Sequence, residues 1–174
     1  MTRFSPPPPP AVPWLLAVTV AAAAGAAGLV VLSRPLAGGV AGLVAVVAFF
    51  LAGVAAKRSG ARLVFADHAV ERLLEAALFG SIAWVAIPDE VWTAAAALSA
   101  LITSYLASYL SAKAIGLGFE LRERVPYRSA RPLVAVVGLL VPEILDVALW
   151  AAAVISLEPV VRHGASVARQ REPA

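Results

Sequence analysis

The sequence contains no cysteine, so disulfides, thiolate metal ligands and a cysteine nucleophile are excluded. Histidine is nearly absent as well: His68 and His163 stand far apart, with no metal-ligand spacing between them. Charge is scarce, at 14% of residues against 61% hydrophobic, and a soluble fold of 174 residues has no interior large enough to hide so much apolar surface. A water-soluble globular domain is thereby excluded, and lipid is the solvent. What charge there is leans positive, twelve Arg and two Lys giving +3 overall. On so apolar a chain that excess reads as membrane topology and contact with anionic lipid, not as nucleic-acid binding.

Long apolar runs are what the chain does have. Uncharged stretches extend over Phe4–Ser33, Pro35–Ala56 and Val91–Ala112, each meeting the ~20 residues an α-helix needs to cross the hydrocarbon. A polyproline run, Pro6–Pro10, cannot be helical and predicts an extended arm within a Pro-rich tail over 1–12. Arg3 followed by apolar and small residues also fits a signal peptide, but Trp14–Leu32 exceeds the ~7–15 residues of a typical signal core and favours a retained first helix. Arg34 and Pro35 separate it from a second helix over Leu36–Ala56, in which Gly38 and Gly42 have the spacing that lets helices approach closely. A third helix is expected to begin near Asp67 and to end at Pro88, and a fourth to cover Val91–Ala114, stopped by Gly116 and Gly118.

The charged linker between Lys113 and Arg131 is too polar for lipid. Beyond it, Pro132–Leu157 holds Pro142, Glu143 and Asp146 near its middle, the mark of one kinked span or of two short ones. Charge topology chooses between them. With a turn at Pro142–Asp146, all the basic residues except Arg34 fall on one side of the membrane, which is a strong positive-inside bias. The expected architecture is therefore an all-α polytopic bundle of about six transmembrane helices over 13–162, in the plasma membrane, with a cytoplasmic tail over 163–174 and both termini cytoplasmic.

Asp67, Glu71 and Glu75 are spaced by four, so their carboxylates stack along one face of the third helix. Like charges at that spacing repel and call for a cation. The candidates are a metal ion, Lys57, Arg58 or Arg62 from the preceding loop, or Arg72 on the helix itself. An interfacial salt-bridge cluster and a metal and phosphate site both fit. The hydroxyl-rich run Thr103–Ser111 is either a polar stripe facing the bundle or a set of side chains bonding back to their own helix.

The stretch DHAVERLLEAALFGSIAW (Asp67–Trp84), together with SYLSAKAIGLG (Ser108–Gly118), SARPLVAVVGLL and ISLEPVVRHGASVARQR, resembles the CDP-alcohol phosphatidyltransferases over roughly Phe49–Arg171. These are six-helix membrane enzymes that make phospholipid head groups. Their signature is DxxDGxxAR, an eight-residue spacer and GxxxDxxxD. Its aspartates hold divalent metal, which neutralises the CDP pyrophosphate, and supply the base that takes the proton of the attacking alcohol. Laid on this chain, the resemblance makes Asp67 and Glu71 metal ligands, Glu71 also the catalytic base, and Gly53 and Lys57 part of the substrate site. Arg122, Arg124 and Arg131, with Arg128, match the basic cluster that meets the acceptor phosphate in inositol-phosphate-using members; a solvated loop obeying the positive-inside rule is the plainer account of them.

The departures are as informative. Phe49 and Ala52 stand where the first two aspartates belong, Leu63 where the second glycine belongs, and the spacer is three residues shorter. Phenylalanine and alanine offer no oxygen to Mg²⁺. The expectation is a degenerate homologue with no cofactor, acting in membrane-lipid binding or subunit association as a homodimer or beside an active homologue. An active transferase with a rearranged site, using Mg²⁺ or Mn²⁺ and a CDP-lipid, is the alternative. A small transporter or channel is disfavoured by charges expected at the membrane edges.

Overall fold

A computed structural model describes residues 11–56, 61–119 and 126–170. Six α-helices follow one another: α1 (Ala11–Val31), α2 (Pro35–Ala56), α3 (Ala61–Ala86), α4 (Val91–Gly116), α5 (Pro126–Leu140) and α6 (Leu145–Arg169), with a 3₁₀ turn at Pro142–Ile144 between the last two. Among the described residues there is no strand. Among the described residues, four stretches are long and apolar enough to cross a membrane: α1, Pro35–Ala55 of α2, α4, and Pro142–Arg169 containing α6. The all-α membrane bundle expected from composition is the observed fold, and the reversal at Pro142–Asp146 falls where the charge pattern put it.

Three boundaries differ from expectation. Helix α3 begins at Ala61, nearly two turns before Asp67, because Ala-Arg-Leu-Val-Phe-Ala contains no helix breaker. Helix α5 begins at Pro126, inside the segment read as linker, and carries Pro132 within it. Proline at the first helical position lacks only an N–H that has no intrahelical partner there, so Pro126 starts a helix instead of interrupting one. Helix α6 continues through Pro159 to Arg169, well past Leu157.

The bundle is inverted relative to a soluble protein. Many small side chains line its interior, among them Ala26, Ala45, Ala96, Ala97, Ala100 and Ala152, all fully buried, beside larger ones such as Leu74, Leu78 and Phe79. Other large ones such as Val47, Phe50, Leu51 and Trp84 point outward. Without a hydrophobic force between helices in lipid, close van der Waals packing of small residues holds them together. The pair Gly38 and Gly42 serves this packing on two fronts. A Cβ on Gly38 would lie 3.1 Å from the Ala26 carbonyl oxygen on α1, and one on Gly42 would lie 2.9 Å from Val136 on α5.

Helix α3 packs against α1, α2, α4 and α5, so the most highly charged helix of the bundle is also its most surrounded. Lipid cannot solvate charge, and neighbouring helices shield α3 on several sides.

Candidate functional site

Asp67, Glu71 and Glu75 all turn inward from α3 and are 8%, 2% and 0% exposed. Burial of a carboxylate is costly unless a cation and hydrogen bonds accompany it. For Glu71 and Glu75 the companions are Arg72 of the same helix and Arg131, brought in by the first half of α5. Arg72 places Nη2 2.8 Å from Glu71 Oε1 and Nη1 2.7 Å from Glu75 Oε2. Arg131 places Nη2 2.8 Å from Glu71 Oε1 and Nε 3.3 Å from Glu75 Oε1. The four side chains close a ring of alternating sign with no net charge.

Helix α4 completes the ring through Ser104, which is fully buried. Its hydroxyl donates to Glu75 Oε2 and accepts from Arg72 Nη1 at 2.5 Å and Arg131 Nη1 at 3.0 Å. Its carbonyl oxygen accepts from Arg72 Nη1 at 3.0 Å. The neighbouring Tyr105 donates to the Arg72 carbonyl at 3.1 Å and lays its ring 5.5 Å from the guanidinium carbon, within cation–π range. Three helices thus meet at one polar knot. Ser104 lies half-way along α4, so these charges sit deep in the bundle and not at the membrane edge where all charge was expected.

The other anticipated site residues distribute as follows. Lys57, Arg58, Arg122 and Arg124 lie outside the described residues. Gly53 sits in the last turn of α2, where a Cβ would meet nothing within 4 Å. Arg131, matched by resemblance to a cluster that meets acceptor phosphate, is 6% exposed and turned into the carboxylates. On α2, Phe49 is 3% exposed in the main apolar core, and Ala52, fully buried, packs with Val12 and Leu16 of α1. Both positions that the resemblance gives to aspartates are therefore parts of hydrophobic packing.

Among the described residues, no three His, Asp or Glu side chains are grouped to hold a metal ion. The donor set does not fit one. Helix α2 contributes no oxygen, and Oε1 of Glu71 is already held between two guanidinium nitrogens, whereas Mg²⁺ asks for a near-octahedral oxygen shell.

Sequence reasoning offered the run holding Ser104 as one that could face the bundle, but did not foresee its charged partners or the reach of Arg131. The run Thr103–Ser111 does hold hydroxyls that bond back to their own helix, Thr103 to the Ser99 carbonyl at 2.7 Å and Ser111 to the Ala107 carbonyl at 2.9 Å. Ser104, one residue on, faces the carboxylates instead. The usable signal was a serine next to a tyrosine on the helix that follows an acidic one, which is faint. His163, also 6% exposed, places Nδ1 2.7 Å from Ser111 Oγ and so ties α6 to α4. At the opposite end of the bundle, Asp89, Glu90, Glu143 and Asp146 border an open cleft of about 780 Å³, with Thr93 Oγ1 2.5 Å from Asp146 Oδ1.

No family model matches the chain. Over 107 residues, 56% of the chain, it is 35% identical to the phosphatidylinositol phosphate synthase of Corynebacterium glutamicum, and the match spans about half, 48%, of that relative. Solved structures of a Mycobacterium tuberculosis phosphatidylinositol phosphate synthase share its fold. The apo form superposes with a TM-score of 0.75 at 24% identity, covering 89% of this chain and 87% of that one. The form in complex with manganese and citrate gives 0.74 at 24% identity over 89% and 80%, and the form with CDP-DAG bound gives 0.71 at 23% identity over 92% and 90%. The chain is thus similar in sequence, over part of its length, to one phosphatidylinositol phosphate synthase and shares the fold of another.

Proposed function

We propose that the chain is a catalytically silent homologue of these transferases, which keeps their membrane scaffold and acts by binding lipid or by associating with a second subunit. The observation that carries this is on α2. Phe49 and Ala52, where two metal-binding aspartates belong by resemblance, are buried in apolar packing. Cleavage of a CDP-lipid's pyrophosphate bond leaves negative charge on the departing nucleotide, and a base without a metal leaves that charge unneutralised. Glu71, the candidate base, is moreover tied to two arginines. The ligand class this scaffold suits, by likeness to these relatives, is a CDP-lipid in the plasma membrane, with both termini cytoplasmic and with Lys57, Arg122 and Arg124 the basic residues that the resemblance gives to substrate.

The test is transfer of labelled inositol phosphate or glycerol phosphate into lipid by the purified protein, with a CDP-lipid as donor and Mg²⁺ or Mn²⁺ present. No incorporation above background is expected, from the wild type or from Asp67→Asn. Incorporation that a chelator abolishes and Asp67→Asn removes would overturn this reading. The chain would then be a CDP-alcohol phosphatidyltransferase with a site rearranged around Asp67, Glu71 and Glu75.

A further inference from the structure

We infer that Arg72 and Arg131 take the charge-compensating place of a divalent metal, so that the protein carries its own counter-ions and takes no Mg²⁺ or Mn²⁺ at Glu71, the one carboxylate of the ring that the resemblance makes a metal ligand. This deepens the reading of a site without metal and rests on it. The geometry is restrictive. A metal ion coordinated to Glu71 Oε1 at about 2.1 Å lies no more than about 4.9 Å from a nitrogen of each arginine, because both nitrogens are 2.8 Å from that oxygen. Two cations so close in a buried setting oppose a third of double charge.

Nor can the arginines move aside at little cost. Arg131 is 6% exposed, bridges both carboxylates and donates to Ser104, while Arg72 is held by the Ser104 hydroxyl and carbonyl and by the Tyr105 ring. A guanidinium is planar and always charged, and its fork of donors spans two carboxylates, which a point charge of fixed octahedral demand does less well. The same exchange has a mechanical result. A metal ion joins whichever helices supply oxygens, whereas Arg131 ties α5 to α3 and α4 through its side chain. The carboxylates are thereby closed by the helix whose basic residues, by resemblance, face the acceptor phosphate.

The experiment uses the full chain in detergent and Mn²⁺ as the probe, read by the paramagnetic resonance of free Mn²⁺ and by melting temperature with and without chelator. For the wild type, neither the Mn²⁺ signal nor the melting temperature is expected to change. Arg131→Ala is expected to melt about 5–10 °C lower, since it leaves a buried carboxylate uncompensated. Mn²⁺ is then expected to raise that melting temperature by about 5 °C or more at saturation, an effect absent when Glu71→Gln and Glu75→Gln are added. Mn²⁺ binding by the wild type that disappears in Glu71→Gln overturns the inference, as does Arg131→Ala melting like the wild type.

Should Arg131→Ala not fold, the charge-balanced pair Arg131→Gln with Glu71→Gln decides. Losses in melting temperature smaller together than the sum of the two single losses support the closed ring, and additive losses overturn it. The outcomes separate from those for function: metal bound without turnover defeats only the counter-ion assignment, and turnover without bound metal defeats only the silent homologue.

Discussion

Ser104→Ala removes a single oxygen atom, yet that oxygen meets three charged groups: it donates to Glu75 and accepts from Arg72 and Arg131. Arg72 Nη1 keeps the Ser104 carbonyl and Glu75 after the change. Arg131 Nη1 loses its contact with the hydroxyl, and Glu75 Oε2 loses the hydroxyl donor while keeping Arg72 Nη1. Hydrogen bonds to charged groups are worth about 1.5–3 kcal/mol each, and a partner left buried adds its desolvation. With the ion pairs still in place to absorb part of this, a net loss of about 2–4 kcal/mol is expected. Ser156→Ala is the matched control. Ser156 is equally buried on α6, but its hydroxyl only bonds back to the Ala152 carbonyl at 2.7 Å in its own helix, so about 0.5 kcal/mol or less is expected. At about 2–4 °C per kcal/mol for a chain of this size, the two variants should differ in melting temperature by about 3–16 °C in the same detergent. If Ser104→Ala melts with Ser156→Ala, the three-helix knot does not contribute to stability, and the account of how these charges are tolerated fails.

Two further expectations need only single substitutions. The absence of native cysteine makes topology directly measurable: Asp89→Cys is expected to react with an impermeant reagent added outside intact cells and Ala168→Cys to react only after permeabilisation, and the reverse pattern would refute the cytoplasmic placement of both termini. Gly138→Ala brings a Cβ 2.9 Å from Leu145 Cδ1 and 3.2 Å from Leu145 Cα, where α5 turns back into α6, and should cost about 1–3 kcal/mol as overpacking. Gly53→Ala meets nothing within 4 Å and should change stability by about 1 kcal/mol or less, in the stabilising direction by helix propensity. Equal losses in thermal melts of Gly138→Ala and Gly53→Ala would contradict the packing.

Composition and periodicity carried most of the architecture because lipid leaves a chain few choices. Backbone groups must be satisfied within each span, so the uncharged runs Pro35–Ala56 and Val91–Ala112 had to be helices. Wherever a cue was local, it was legible: Gly118 takes a φ of 86° just past α4, and Pro142 opens the reversal into α6. Where a residue has two local meanings, sequence misled. Pro126 starts α5, and Pro132 and Pro159 are carried inside helices, since each bundle contact outweighs the one backbone hydrogen bond a proline removes.

The four-residue spacing of Asp67, Glu71 and Glu75 was enough to put three carboxylates on one face and to demand a cation, because that geometry is internal to a helix. It was not enough to say which cation. Glu71 meets Arg131, 60 positions away, and Glu75 meets Ser104, 29 away. Those partners exist only because α3, α4 and α5 pack side by side at that depth. Sequence by itself determined that this is a lipid-embedded helical bundle with three carboxylates on one helix face and with Phe49 and Ala52 where the resemblance calls for aspartates. Tertiary structure alone decided that arginines of two helices neutralise the face, because charge in a low-dielectric interior pairs with whatever cation the neighbouring helices bring within reach.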